Sequence, residues 1–391
     1  MKTNQLQTNI PDGWKFHKLD DLLTFVVDNR GKTPPIQSSG IPMAEVNAIG
    51  DKNIKYSEIT KFVSEETYKT WFRKHLEKND ILFSTVGRTA SCSIYTADIK
   101  TVIAQNLIGL RFGKDNPEFM FYLLTQDKNN QEFKNIEMSA AQPSVKVSQM
   151  IHLEFLVPPL PEQNRIVSVL ETWDKLIEKI EQKIKTKKQI KKALMQDLLS
   201  GKKRLSGFNE KWETRKLREC LTIRHGKPQK EVESPDGKYP ILGTGGEFGR
   251  ATKFLYDKPS VLIGRKGTID KPKYIDTPFW TVDTLFYTEI KKSIDPKFLY
   301  YIFLTINWKL YNEGSGVPSL SASTISSIKV SIPKEEKEQK AIANILTTSD
   351  EEITELEKKL SIIKEQKRYL INNLIAGTIR TPETLSSKLT K

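Results

Sequence analysis

The 391-residue chain is poor in the residues that build covalent or metallic scaffolds, with two cysteines, Cys92 and Cys220, and four histidines. Two cysteines exclude a disulfide framework, and so few histidines and cysteines together argue against a structural zinc cage. No apolar run approaches the roughly 20 residues that a membrane span requires. The opening segment, MKTNQLQTNIPDGW, lacks the apolar core of a secretory signal. These absences point to a cytoplasmic, reduced protein that holds no metal. What the chain has in excess is positive charge: 62 lysines and arginines against 48 acidic residues, a net charge of +14. An excess of that size fits a polyanionic partner, of which nucleic acid is the commonest. The length suffices for two ordinary domains with cores of their own.

The chain is written twice. PDGWKFHKLDDLL at Pro11–Leu23 returns as NEKWETRKLRECL at Asn209–Leu221, aligning Trp14 with Trp212 and Leu19 with Leu217. NPEFMFYLLT at Asn116 returns as DPKFLYYIFLT at Asp295, and QPSVKVSQMIHLEFLVP at Gln142 as VPSLSASTISSIKVSIP at Val317. The helix opening PPLPEQNRIVSVLETWDKLIEKI at Pro158 then matches PKEEKEQKAIANILTTSDEEITEL at Pro333. From there the match runs without a gap to Ser200-Gly201 and Ala376-Gly377. A repeat of this kind is the first feature to establish, because it sets the whole fold. It divides the chain into segments 11–158, 159–204, 205–333 and 334–380, with a tail at 381–391.

Segments 11–158 and 205–333 mix short apolar alternations, such as DILFSTV, NLIGLRF, SVLIG and DTLFYTEI, with Gly and Pro turns and one or two helices. That pattern predicts small α+β domains. Each is followed by a long helix that opens behind proline and ends at Gly201 or Gly377. Along the first helix Leu170, Trp173, Ile177, Ile180, Ile184, Lys187, Lys191, Leu194 and Leu198 step by three and four. The second helix repeats the register with Leu346, Ser349, Ile353, Leu356, Leu360, Ile363, Lys367, Leu370 and Leu374. Seven of the nine seam positions are apolar or aromatic in each helix, which predicts that the two pack on each other as a coiled coil. A pseudo-twofold relation between the copies makes that pair antiparallel. At 1.5 Å per residue each helix reaches roughly 50–60 Å, so the expected architecture is a dumb-bell with a helical bar.

The enzymatic motifs that the chain suggests fall short on inspection. RGKTPP at Arg30–Pro35 resembles the end of a phosphate-binding loop. The required glycine five residues before Gly31 is Val26, and the prolines after Thr33 forbid the helix that should follow. LGTGGEFG at Leu242–Gly249 has no surrounding βαβ unit, and no Asn/Asp-Pro-Pro-aromatic motif of adenine methyltransferases occurs. Pro235-Asp236 with Glu289-Ile290-Lys291 matches a Mg²⁺ nuclease pattern only loosely. His17, His75, His152 and His225 have no repeat-equivalent partners among themselves, and no Ser-His-Asp or Cys-His set stands out. What remains is polar and basic residues on turns beside glycine. In the first copy these are Arg30, Lys32, Thr33, Arg88 and Arg111; in the second, Arg224, Lys227, Arg265 and Lys266. Arginine can read a guanine edge bidentately and lysine meets phosphate as a point charge.

PLPEQNRIVSVLETWDKLIEKI and KKALMQDLLSGKKRL, with their echoes EQKAIANILTTSDEEI and LINNLIAGTIR, resemble the DNA specificity subunit of Type I restriction–modification systems. The resemblance covers essentially the whole chain. It implies two target recognition domains, each followed by a spacer helix, with the paired helices serving as ruler and as docking surface for two methyltransferase subunits. By the same resemblance the chain is not itself an enzyme, and S-adenosylmethionine, ATP and Mg²⁺ belong to the methyltransferase and restriction partners. The departures are KEEKEQ in place of PLPEQ and Ser349 in place of Trp173. A stand-alone or architectural DNA-binding protein and a fused restriction polypeptide are the rival readings, and the missing methylation and helicase motifs count against the second. If the helices are a ruler, inserting four residues near Lys187 adds one helical turn, roughly 6 Å. The spacer between two half-sites should then lengthen by about one or two base pairs, at ~3.4 Å each, with both half-sites unchanged. Sequencing methylated bases made by the mutant complex checks this; methylation at the original spacing as good as before would refute it.

Overall fold

A computed structural model describes residues 10–31, 33–138 and 141–384. The chain forms two compact units: one combines everything up to Lys179 with everything from Leu360 onward, and the other is Ile180–Lys359. Each unit therefore holds one α+β domain and a part of each long helix.

In the first unit the strands are β1 (Lys15–Lys18), β2 (Leu23–Val27), β3 (Ile41–Ala44), β4 (Phe62–Val63), β5 (Ile81–Ser84), β6 (Cys92–Ile94), β7 (Val102–Ile103), β8 (Leu107–Phe112) and β9 (Glu154–Val157). They make an antiparallel sheet in the order β2-β8-β5-β6, a small sheet β4-β3-β7 whose β3–β7 pair is parallel, and a β1–β9 pair. Strand β5 reads as alternation but is buried along its whole length. The reason is that the sheet has a core on each face. Ile81 and Phe83 point into a cluster with Phe119, Phe133, Leu170 and Leu374, whereas Leu82 joins Val27, Ile49 and Leu107 beneath the small sheet. A helix at Pro117–Thr125 crosses the inner face. Asn116 caps it by accepting from the amides of Glu118 and Phe119, Pro117 supplies the first turn, and six of its nine residues are buried.

The second unit repeats this plan under a divergent sequence. Its strands are β10 (Glu213–Lys216), β11 (Leu221–Arg224), β12 (Tyr239–Gly243), β13 (Gly246–Ala251), β14 (Ser260–Gly264), β15 (Lys273–Ile275), β16 (Trp280–Thr281), β17 (Leu285–Ile290) and β18 (Lys329–Ile332). The sheets run β11-β17-β14-β15, β13-β12-β16 and β10-β18, strand for strand the order of the first domain. Val261 and Ile263 of β14 face the helices, and Leu262 faces the outer cluster with Phe279 and Tyr287. Asp295 and Pro296 open the inner helix, Pro296–Thr305, as Asn116 and Pro117 do.

The long helices, Leu160–Leu199 and Glu336–Ile375, are 40 residues each. Within each unit their halves run antiparallel: Asp174 meets Lys367 and Glu162 meets Arg380 in one, and Lys191 meets Asp350 and Arg204 meets Glu338 in the other. Along the seam Leu170, Ile180, Ile184, Leu198, Leu346, Ile353, Ile363 and Leu374 are buried, and Trp173, Ile177, Leu194, Leu356, Leu360 and Leu370 are half-buried. Lysines break the apolar pattern because they have partners. Lys367 pairs with Asp174, whose carboxylate also accepts from Tyr122 at 2.6 Å; Lys191 pairs with Asp350, which accepts from Tyr301 at 2.8 Å. Burial, with a carboxylate beside each ring, holds both phenols far above their ordinary range, so they donate as neutral groups.

The Glu-Gln pair that both copies share fastens each helix to its domain. Glu162, 4% exposed, accepts from Trp14 Nε1 at 2.9 Å and from Arg380 Nε and Nη2 at 2.6 and 2.8 Å. Glu338, 1% exposed, accepts from Trp212 Nε1 at 3.3 Å and from Arg204 at 2.8 and 2.9 Å. Gln163 accepts from the Asn116 amide and donates to Pro158 O and Asp115; Gln339 accepts from the Asp295 amide and donates to Pro333 O and Ser293 O. All but one of these bonds are shared behind PLPEQ and behind KEEKEQ; the exception is the second acceptor, the Asp115 carboxylate in one copy and the Ser293 carbonyl in the other. Gly201 and Gly377 end the helices at φ +70° and +72°, and a Cβ there would press on Trp212 or on Pro11 and Trp14. Replacing Gln339 by Leu should leave the Asp295 amide and two carbonyls unpaired in a buried site, at about 1–3 kcal/mol each. Denaturant unfolding followed by tryptophan fluorescence should register the loss, and unchanged stability would contradict the assignment.

Candidate nucleic-acid interface

In both domains three turns meet at one pole, and backbone hydrogen bonds set them in register. The first is the turn after β7 or β16, closed by Leu107 N to Ala104 O at 3.1 Å and by Leu285 N to Val282 O at 2.9 Å. The second follows β5 or β14: Thr85 N donates to Asn106 O at 2.9 Å, and Arg265 N to Thr284 O at 2.8 Å. It is braced by the Pro-Ser loop, through Gly87 N to Pro143 O at 2.9 Å and Gly267 N to Pro318 O at 2.8 Å. Both glycines are left-handed, at φ +83° and +88°. Thr85 thus occupies the place of Arg265, and Gln105 that of Asp283. The third turn follows β2 or β11 and reaches the first through Gln105 Nε2 to Thr33 Oγ1 at 3.1 Å, or Lys227 N to Thr281 O at 2.8 Å.

The two poles carry different chemistry. The first has a groove of about 280 Å³ whose walls include Thr33, Ile36, Glu45, Lys61, Gln105 and Asn106. Lys61 and Glu45 are paired across it at 2.8 Å. Arg30 is exposed but spends Nε and Nη2 on Asp28, and that hydrogen-bonded guanidinium holds the Asp28 carboxyl below the usual carboxylate range. Lys32 lies outside the described residues. At the second pole Arg265 is held through Nη1 by Asp283, Lys266 is exposed next to it, and Lys227 is exposed on the neighbouring turn. Thr244 sits against Gly267, and the Lys273 ammonium reaches Gly246. Two buried oxygens without hydrogen-bond partners, Asn106 Oδ1 and Thr281 Oγ1, fall at these same turns. Unsatisfied groups of this kind are uncommon, and among the described residues His75 Nδ1 is the other one.

Three of the arginines singled out from sequence are engaged elsewhere. Arg111 lies on β8, donates to both oxygens of the fully buried Asp80 at 2.8 and 2.9 Å, and reaches Glu77 at 2.7 Å and His75 O at 3.1 Å. Its guanidinium also covers the Phe25 ring. Arg88 donates to Val46 O at 3.0 Å, to Ile49 O and to Ser91 Oγ at 3.1 Å, tying the β5–β6 turn to the segment that follows β3. Arg224 is exposed and paired with Glu289 at 2.9 Å, which removes Glu289 from any nuclease-like set. Among the described residues no three His, Cys, Asp or Glu gather as a metal site would need, and no helix is long and apolar enough to cross a membrane. Gln105, Asp283, Thr244, Lys61 and Lys273 escaped the sequence reading. For Gln105 and Asp283 the signal was present in the paired segments AQNL and VDTL, which align once the copies are superposed; Thr244, Lys61 and Lys273 carry no such signal.

The model of the Type I restriction modification DNA specificity domain matches twice, over residues 11–189 and 209–365. The chain belongs to this family. A relative from Methanocaldococcus jannaschii, named as the MjaX specificity subunit of a type I restriction enzyme, is 27% identical over 408 residues and 95% of either chain. Two solved structures share the fold. One is the S subunit of a type I system from M. genitalium, 18% identical with a TM-score of 0.60 over 95% of this chain and 97% of that one. The other comes from a study of complex assembly and conformational transition of the type I system, 16% identical with a TM-score of 0.61 over 95% and 99%. In this Type I specificity chain, Arg111 is then a framework residue. Arg111→Ala should lower stability by about 3 kcal/mol, because it strands a buried Asp80. Thermal unfolding checks this, and a variant of unchanged stability would return Arg111 to the candidate surface.

Proposed function

We propose that this chain is the sequence-specificity subunit of a Type I restriction–modification complex and that it reads an asymmetric, bipartite double-stranded DNA site. The observation that carries the reading is two poles of one framework and unlike chemistry, in a chain whose family model matches once per copy. Segments 11–158 and 205–333 act as the target recognition domains, with 159–204 and 334–380 as spacers. Arg30, Lys32 and Thr33 on one domain, and Lys227, Arg265 and Lys266 on the other, approach the duplex. The seam side chains are covered by helix packing, so docking of two methyltransferase subunits and of the restriction subunits falls to the outer helix faces. Leu176 and Ile190 are exposed there on the first helix, and Ile362 and Tyr369 on the second. In this reading S-adenosylmethionine, ATP and Mg²⁺ are held by the partners, the chain performs no chemistry, and the complex works in the cytoplasm. Coexpression with the methyltransferase tests it. The complex should methylate two unlike half-sites separated by unread bases, and the purified chain alone should transfer no label from S-adenosylmethionine. A continuous or palindromic motif, or transfer by the chain alone, would overturn the proposal.

A further inference from the structure

The equivalence of the two poles allows their reading groups to be compared atom by atom. Thr85 is buried where Arg265 is half-buried and extends from the turn, so the first pole has no arginine at this position. Instead the first pole offers Gln105, half-buried in the groove wall, with one amide N–H fixed by Thr33 Oγ1 at 3.1 Å. That bond orients the amide plane and leaves Oε1 with the second N–H, an acceptor and a donor side by side. In the major groove only adenine presents the complement, an N6 donor next to the N7 acceptor. Ile36, 51% exposed in the same groove, supplies an apolar surface of the kind that meets a thymine methyl.

At the second pole Asp283 takes Nη1 of Arg265, which fixes the guanidinium plane and leaves Nε and Nη2 as a parallel pair of donors. A parallel donor pair matches guanine O6 and N7. Arg30 in the first domain cannot do the same, because its Nε and Nη2 are both bound to Asp28.

We infer that Gln105 and Arg265 are specificity-determining residues, with Gln105 reading an A·T pair in one half-site and Arg265, held by Asp283, reading a G·C pair in the other. The inference rests on the proposed specificity role. Its test uses the complete methyltransferase complex, expressed in a host without methylation of its own, and sequencing of the methylated bases. Gln105→Ala should turn one A·T position of one half-site into any base, and Arg265→Ala should do so for one G·C position of the other. Gln105→Glu should move the preference at its position from adenine toward cytosine, whose N4 amino group a carboxylate accepts. A merely structural role would not produce that change. Where a variant complex no longer methylates, competition binding with duplexes altered at each position should show discrimination falling about tenfold or more at one pair. The inference is overturned if the motif and its discrimination are unchanged, if both variants affect the same half-site, or if the relaxed pairs are not A·T and G·C respectively. A wild-type complex with no bipartite motif would instead remove the specificity role itself, whatever the variants do.

Discussion

A buried carboxylate at the start of each long helix is the constraint on which the rest of the structure turns. An unpaired ion in that position would cost several kcal/mol. Glu162 and Glu338 can be buried only because an indole and a guanidinium come to meet them. Those donors come from different stretches of chain: the tryptophan opens the globular domain, and the arginine stands three residues past the glycine that ends the other long helix. One carboxylate therefore joins a domain, its own helix and the opposite helix within each unit. The neighbouring glutamine accepts from one backbone amide of the domain, Asn116 or Asp295, and the Tyr-Asp-Lys groups repeat the fastening farther along the helix.

With the inner side of each domain committed in this way, variation is displaced outward. The four-stranded sheet has one core against the helices and another under the small sheet, and the turns of the candidate interface hang from backbone bonds that ask little of side chains. Thr85 and Arg265, or Gln105 and Asp283, can exchange character without disturbing a strand. A framework held by glycine, proline and peptide groups lets the candidate surface diverge while the sheet order stays fixed.

This division also decides what could be read from sequence. The helices and their seam repeat because both copies need the same packing, so aligning the copies exposed them; the Glu-Gln fastening lay inside the aligned segments, but its partners became visible only in the structure. Lys191 and Lys367 looked like faults in a heptad pattern until Asp350 and Asp174 proved to be their partners. The arginines were harder. Arg111 and Arg88 stand beside glycine-rich turns like ligand-binding residues, yet their acceptors lie 31 and 39–42 residues away in sequence, a relation that no local pattern encodes. Gln105 was passed over for the opposite reason. A neutral amide in an apolar strand-turn-strand segment carries no charge signal, and its importance depends on which residue occupies the same place in the other copy.

The path of the chain through the two units has a consequence for how the protein is made. The unit spanning Ile180–Lys359 is one continuous stretch, but the unit around the first domain needs residues from Leu360 onward. On the ribosome, the domain synthesised first is completed last. Until Arg380 and Leu374 emerge, Glu162 lacks its guanidinium and the inner core around Phe119 lacks one wall. Closing a loop of more than 200 residues also slows the final docking. A nascent chain that stalls between Lys359 and Leu374 would therefore present a finished second domain and an open first one, with apolar surface that invites aggregation. Loss of Arg380 and Leu374 would be felt more than 200 residues earlier in the chain, in the domain that holds Trp14 and Phe119.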